Sequence, residues 1–199
     1  MSRQPNNARR KLRSPPPPLD AQRLEELALA YVARFATSAG RLGAYCRRKL
    51  RERGYAGAQD GAAPPDIDAM VERFIAKGYV DDASYARVKT GGLLRRGYGA
   101  RRVDQALRAD AIGETLREAV APGEADRREA AAAYARRRRL GPFARDGLAA
   151  PDPRAREKQL AALLRAGHDP RHARRVLAAR SPGELDDWVA EAREDRDDS

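Results

Sequence analysis

The sequence predicts an all-α protein: three tandem three-helix repeats forming an elongated, curved array. Three observations carry that expectation. Apolar residues recur at helical spacing through most of the 199 residues. Helix start and stop residues punctuate the chain at short intervals. One segment returns three times, as Leu50-Arg51-Glu52-Arg53-Gly54-Tyr55, Leu107-Arg108-Ala109-Asp110-Ala111-Ile112 and Leu163-Leu164-Arg165-Ala166-Gly167-His168, at offsets of 57 and 56 residues. Self-similarity at a fixed spacing marks repeated units that share a core with their neighbours.

The first unit spans residues 20–80. Leu24, Leu27, Ala28, Tyr31, Val32 and Phe35 form one helical face behind Asp20. Thr37 or Ser38 caps the next helix, whose inner face holds Leu42, Tyr45, Cys46 and Leu50, and Gly54 ends it. Ala56 to Pro65 is rich in Gly, Ala and Pro and reads as a loop. Asp66 then opens a helix through Ile67, Met70, Val71, Phe74 and Ile75, closed by Gly78.

The second unit spans 81–122. Asp81 or Asp82 caps a helix through Tyr85, Ala86 and Leu94, and later helices carry Val103, Ala106 and Leu107, then Leu116, Ala119 and Val120. The third unit spans 123–180. It contains Ala130 to Arg139, an irregular connection over Gly141 to Ala150, and helices opened by Asp152-Pro153 and Asp169-Pro170. Residues 1–19 read as a disordered basic and proline-rich tail, because Pro15 to Pro18 favour an extended conformation. Residues 181–199 read as an acidic tail, in which Leu185, Trp188 and Val189 dock at most as a last turn.

Charge narrows the function. The net charge is +11, but Glu184 to Ser199 hold eight acids and two bases, a local −6 that leaves +17 on residues 1–183. So basic a body attracts polyanions, nucleic acid first and an acidic protein surface second. The candidate binding residues are Arg47, Arg48, Lys49 and Arg51 on one helix, and Arg95, Arg96, Arg101, Arg102 and Arg108 around a turn. Arg136, Arg137, Arg138 and Arg139 end another helix. Arginine suits bidentate contact with phosphate. Each cluster alone is equally well a solvated face; stacking would align them into a stripe.

Catalytic signals are weak. His168 and His172 are four apart, yet Pro170 intervenes and no further ligand completes a metal set, so they read as a surface pair. Asp81-Asp82 reads as a helix cap. Gly97-Tyr98-Gly99 lacks the lysine of a phosphate loop and reads as a turn. The lone Cys46 lies on an apolar face and reads as packing. No enzyme activity and no cofactor are expected. No run reaches the roughly 18 apolar residues of a membrane span and no apolar stretch follows the basic N-terminus, so a cytoplasmic protein is expected; it is also expected to be a monomer.

Particular stretches resemble the RecX family. Gly78-Tyr79-Val80-Asp81-Asp82-Ala83-Ser84-Tyr85-Ala86 is similar to its junction between first and second repeats. Arg96-Gly97-Tyr98-Gly99-Ala100-Arg101-Arg102-Val103, with Leu107 following, is similar to its second-repeat segment. Arg47 to Tyr55 resembles the second helix of the first repeat, and Leu160, Leu163, Leu164, Gly167 and Val176 fit the third. Ala111 stands where a terminating glycine is usual, and Gly40, Gly43 and Gly91-Gly92 fall where stronger helix formers belong. The resemblance implies binding to RecA protein filaments and to single- and double-stranded DNA, with inhibition of recombinase and coprotease activity. The alternatives from residues alone are a helix-turn-helix DNA-binding protein and a general nucleic-acid binder.

Overall fold

A computed structural model describes residues 17–144 and 152–197. Among them are ten α-helices and no strand. In order they are α1 (Ala21–Arg34), α2 (Ala39–Arg53), α3 (Ile67–Ala76), α4 (Asp82–Arg95), α5 (Ala100–Ala109), α6 (Glu114–Ala119), α7 (Glu124–Arg138), α8 (Pro153–Arg165), α9 (Pro170–Ala178) and α10 (Pro182–Asp197). Short 3-10 turns occupy Ala56–Asp60, inside the expected loop, and Gly141–Phe143. Asp20, Ser38, Asp66, Asp81, Asp152 and Asp169 each cap a helix by accepting a first-turn N–H. The Asp81-Asp82 pair is divided between two helices. Asp81 caps its own, while Asp82 accepts from Ala39 N at 2.8 Å, at the start of α2.

Apolar residues gather into three clusters. The first joins Leu24, Leu42, Met70 and Phe74 with Cys46. The second is small, built on Ala86, Leu93, Val103, Leu107 and Ile112. The third joins alanines of α7 to Leu163, Val176, Leu185 and Trp188. A buried Leu contributes about 1.5–3 kcal/mol, so the small second cluster depends on what joins it to its neighbours.

Those joins are made by helix ends. The start of α2 meets the end of α5, where Ser38 Oγ donates to the Asp110 carbonyl. The start of α5 meets the end of α8, where Gly99 N donates to Ala166 O at 2.9 Å and Arg101 N to Gly167 O at 3.1 Å. Each meeting needs a residue without a side chain. A Cβ on Gly40 would fall 2.3 Å from Ala111 Cβ, and one on Gly99 would fall 2.3 Å from Gly167 O. Gly40 weakens a helix by propensity and is required by close approach. Gly54, Ala111 and Gly167, equivalent in the returning segment, all have positive φ, at 78°, 57° and 92°. Ala111 adopts it despite a cost of about 1–2 kcal/mol for a residue with a Cβ.

The first join is also ionic. Asp110, its side chain 9% exposed, accepts from Tyr85 Oη at 2.9 Å and pairs with Arg41 at 2.9 Å and Lys89 at 2.8 Å. Burial pushes its pKa up, but hydrogen bonds from Lys89, Tyr85 and Arg41 hold it below the usual carboxylate value.

Two expectations at the chain ends are corrected. Residues 1–16 of the expected basic tail lie outside the described residues, but Leu19 is fully buried. Its N–H donates to Gly54 O and its carbonyl accepts from Ala56 N, both at 2.9 Å, so packed chain begins before Asp20. The acidic end is helical through Asp197 rather than a tail. Leu185, Trp188, Val189 and Ala192 recur at helical spacing and are buried, the first three within the third cluster. Several of its acids face basic partners: Asp186 pairs with Arg136 at 2.9 Å and Glu184 with Arg175 at 2.6 Å.

Two glycine substitutions test this packing in opposite directions. Gly92 lies inside α4 with ordinary backbone angles and nothing near a built Cβ. Gly92→Ala is expected to stabilise the protein by about 0.5–1 kcal/mol. Gly40→Ala is expected to destabilise it by about 1–3 kcal/mol through overpacking against Ala111. Urea unfolding followed by circular dichroism reads both.

Candidate nucleic-acid interface

The Gly97-Tyr98-Gly99 turn links α4 to α5 and is pinned on several sides. Gly97, at φ 81°, admits the backbone of Tyr134 on α7, whose N lies 2.7 Å from where a Cβ would stand. Gly99 rests on the end of α8 through its bond to Ala166 O. His168 Nε2 lies 2.9 Å from Gly97 O. A carbonyl only accepts, so Nε2 carries the proton. Arg137 Nη1 donates to Arg96 O at 2.7 Å.

These ties bring three helix C-termini together, those of α4, α7 and α8. Basic residues favour that position because the last turn of a helix is its negative end. The convergence therefore concentrates arginines. An open cleft of about 590 Å³ is lined by Arg96, Arg102, Arg137, Arg138 and Arg165, with Tyr98, Tyr134, Ala162 and Ala166. Among the described residues, no acidic residue lines it. The Arg96 guanidinium lies over the Tyr98 ring at 5.9 Å and that of Arg138 over Tyr134 at 6.0 Å. Among the described residues, no carboxylate lies within salt-bridge distance of these five arginines. Arg137 Nη1 and Arg96 Nε are engaged by backbone carbonyls, which leaves their remaining N–H groups and the other forks to face an anion, and guanidinium matches phosphate oxygens in pairs.

Four of the thirteen residues expected from sequence meet in this cleft: Arg96, Arg102, Arg137 and Arg138. The others lie elsewhere. Arg47 pairs with Asp68, while Arg48 and Lys49 both reach Glu52, at 3.6 and 2.7 Å. Arg51, Arg95 and Arg139 are exposed, Arg139 in a left-handed C-cap at φ 55°. Arg101 and Arg108 line a different groove, of about 330 Å³, that also holds Asp104, Glu114 and Glu118. Arg108 is paired there with Asp104 at 2.8 Å. Arg136 pairs with Asp186 and lies over the Phe143 ring at 5.1 Å.

Arg165, Tyr98 and Tyr134 complete the cleft and are absent from the sequence candidates. Arg165 carries a usable signal, a basic residue in the last turn of a helix whose terminating Gly167 is plain in the sequence. The histidines are corrected. They are not a surface pair: His168 is 2% and His172 7% exposed. His172 contacts Glu124 at 3.1 Å and stacks edge-on to Trp188. Among the described residues, no group of three potential metal ligands gathers. Cys46 is buried as expected, and burial pushes its thiol up to about 11.

The described helices and the cleft define an α-helical protein with an arginine-lined cleft whose chemistry suits anions. No family model matches the chain. Regulatory protein RecX of Myxococcus xanthus (strain DK1622) is 32% identical over 160 residues, which cover 77% of this chain and 83% of that protein. The chain belongs to the RecX family. Among the described residues, no helix is long and apolar enough to cross a membrane.

The His168 tie has a pH signature. Burial lowers its pKa to about 4, against 6.5 when unfolded. The unfolded chain then binds the extra proton first. The contribution is full above about pH 6.5 and is lost as pH falls through about 4. The shift corresponds to about 3 kcal/mol. Unfolding free energies between pH 7 and 4 are expected to fall more steeply in the native protein than in His168→Gln; parallel curves would refute this tie.

Proposed function

We propose that this protein binds RecA and RecA–DNA filaments and restrains recombinase and coprotease activity. Membership of the RecX family supports that reading, and the acid-free arginine cleft is the observation that carries it onto particular residues. The helices read as three tandem three-helix units, 20–80, 81–122 and 123–180, with α10 closing the last. A monomer of such units offers several weak contacts along a filament, and linked contacts gain affinity by effective concentration. Arg96, Arg102, Arg137, Arg138 and Arg165 engage DNA phosphates within the filament groove. The protein acts without catalysis or cofactor, in the cytoplasm, where RecA works.

Purified protein is expected to inhibit RecA ATP hydrolysis and strand exchange, and to co-sediment with RecA filaments. Arg102→Glu with Arg137→Glu is expected to weaken both effects. In the double variant the log–log salt slope of DNA binding should shrink by about 0.9 for every duplex phosphate that is no longer neutralised. An absence of inhibition at large excess over RecA would reject the proposal. Strong preference for one duplex sequence would favour a helix-turn-helix reading instead.

A further inference from the structure

We propose that the arginine cleft is a site for contiguous phosphates, and that its occupant acts as a staple holding α4–α5 to α7 and α8. The inference rests on reading the cleft as an anion site and adds a consequence for the fold. The walls come from separate parts of the chain: Arg96 and Arg102 from one side, Arg137 and Arg138 from the end of α7, and Arg165 from the end of α8. The bonds that already hold these walls together are mostly between uncharged groups, namely Gly99 N to Ala166 O, Arg101 N to Gly167 O, and His168 to Gly97 O, with one charged donor, Arg137 Nη1 to Arg96 O. The arginines oppose them. Five like charges share one cleft, with no lining carboxylate among the described residues; the negative ends of three helices compensate Arg96, Arg137, Arg138 and Arg165, whereas Arg102 lies in the first turn of α5, at a positive end.

A ligand with several adjacent phosphates reverses the sign of that interaction. Each phosphate accepts from guanidinium forks on different walls, so repulsion becomes attraction across the junction. A volume of about 590 Å³ exceeds the needs of a single phosphate. Tyr98 and Tyr134 each present a ring already covered by an arginine, which leaves phosphate rather than base as the recognised chemistry. The phosphates can come from a free nucleotide or from a polynucleotide backbone.

The test uses the full chain without RecA. Thermal unfolding and calorimetric titration are run with sodium tripolyphosphate, with ATP and with oligo(dT), at constant ionic strength. At ten times the Kd, the midpoint is expected to rise by about 3–5 °C. Arg102→Gln with Arg165→Gln should melt higher than the native protein when no ligand is present, and should lose the ligand-induced rise. Its Kd should increase by at least about tenfold. Arg47→Gln with Arg48→Gln removes the same charge away from the cleft and should keep the rise.

A rise with oligo(dT) alone assigns the site to a polynucleotide backbone; a rise with tripolyphosphate or ATP as well admits free nucleotides. Equal loss of the rise in both double variants would overturn the proposal, and so would no rise with any probe. Should the cleft double variant fail to fold, Arg138→Gln on the exposed rim gives the same two readouts. Failure of RecA inhibition with a preserved ligand shift would sink only the regulatory reading.

Discussion

The structure depends on peptide groups shared between the end of one helix and the start of another. A helix leaves its first N–H groups and last carbonyls without internal partners. Here the two deficits meet. Gly99 N and Arg101 N at the start of α5 satisfy Ala166 O and Gly167 O at the end of α8. At the start of α2 the Ser38 hydroxyl donates to the carbonyl of Asp110. These bonds demand close backbone approach, which explains Gly40 and Gly99. They also fix where each turn lies, and so where Arg96, Tyr98 and Arg102 stand. A second apolar cluster as small as Ala86, Leu93, Val103, Leu107 and Ile112 is held in place by its neighbours as much as by its own burial.

Local signals in the sequence are reliable because local chemistry produces them. Asp20, Asp66, Asp81, Asp152 and Asp169 are readable as caps, since an acid before an apolar period has few other roles. The helix α10 is harder to read for the opposite reason. The spacing of Leu185, Trp188, Val189 and Ala192 is visible, but acidic composition suggests solvent, and only the basic partners Arg136 and Arg175 explain why that charge packs well. Long-range matters are less legible. Nothing near Arg165 in the chain indicates that it joins Arg96 and Arg138, because three helix ends must first converge. Pairing also sorts the basic residues. Arg47, Arg48, Lys49 and Arg108 look equivalent to Arg102 in the sequence, yet nearby carboxylates neutralise them.

The cleft shows how a fold can tolerate concentrated positive charge. Placing arginines at helix C-termini lets the helix dipoles absorb part of the repulsion. Elsewhere the same excess is met by ion pairs: Arg128 with Glu124, Arg193 with Glu129, and Arg136 with Asp186. Acidic α10 packs against α7 and compensates one side of that helix, while the side toward α8 keeps its charge. The molecule therefore presents an electrically uneven surface, and a surface of that kind orients a charged partner by field as well as by shape.

An end-to-start series carries an intrinsic hazard: its last free carbonyls invite another molecule to continue it, and heterologous contacts of that kind grow into fibres. Leu19 removes the invitation. Its amide occupies Gly54 O, the position equivalent to the Gly167 O that receives Arg101 N in the interior. At the opposite terminus Asp152 caps α8 and Pro153 offers no N–H. A buried leucine just ahead of the first helix thus doubles as a stopper for the series of shared helix ends.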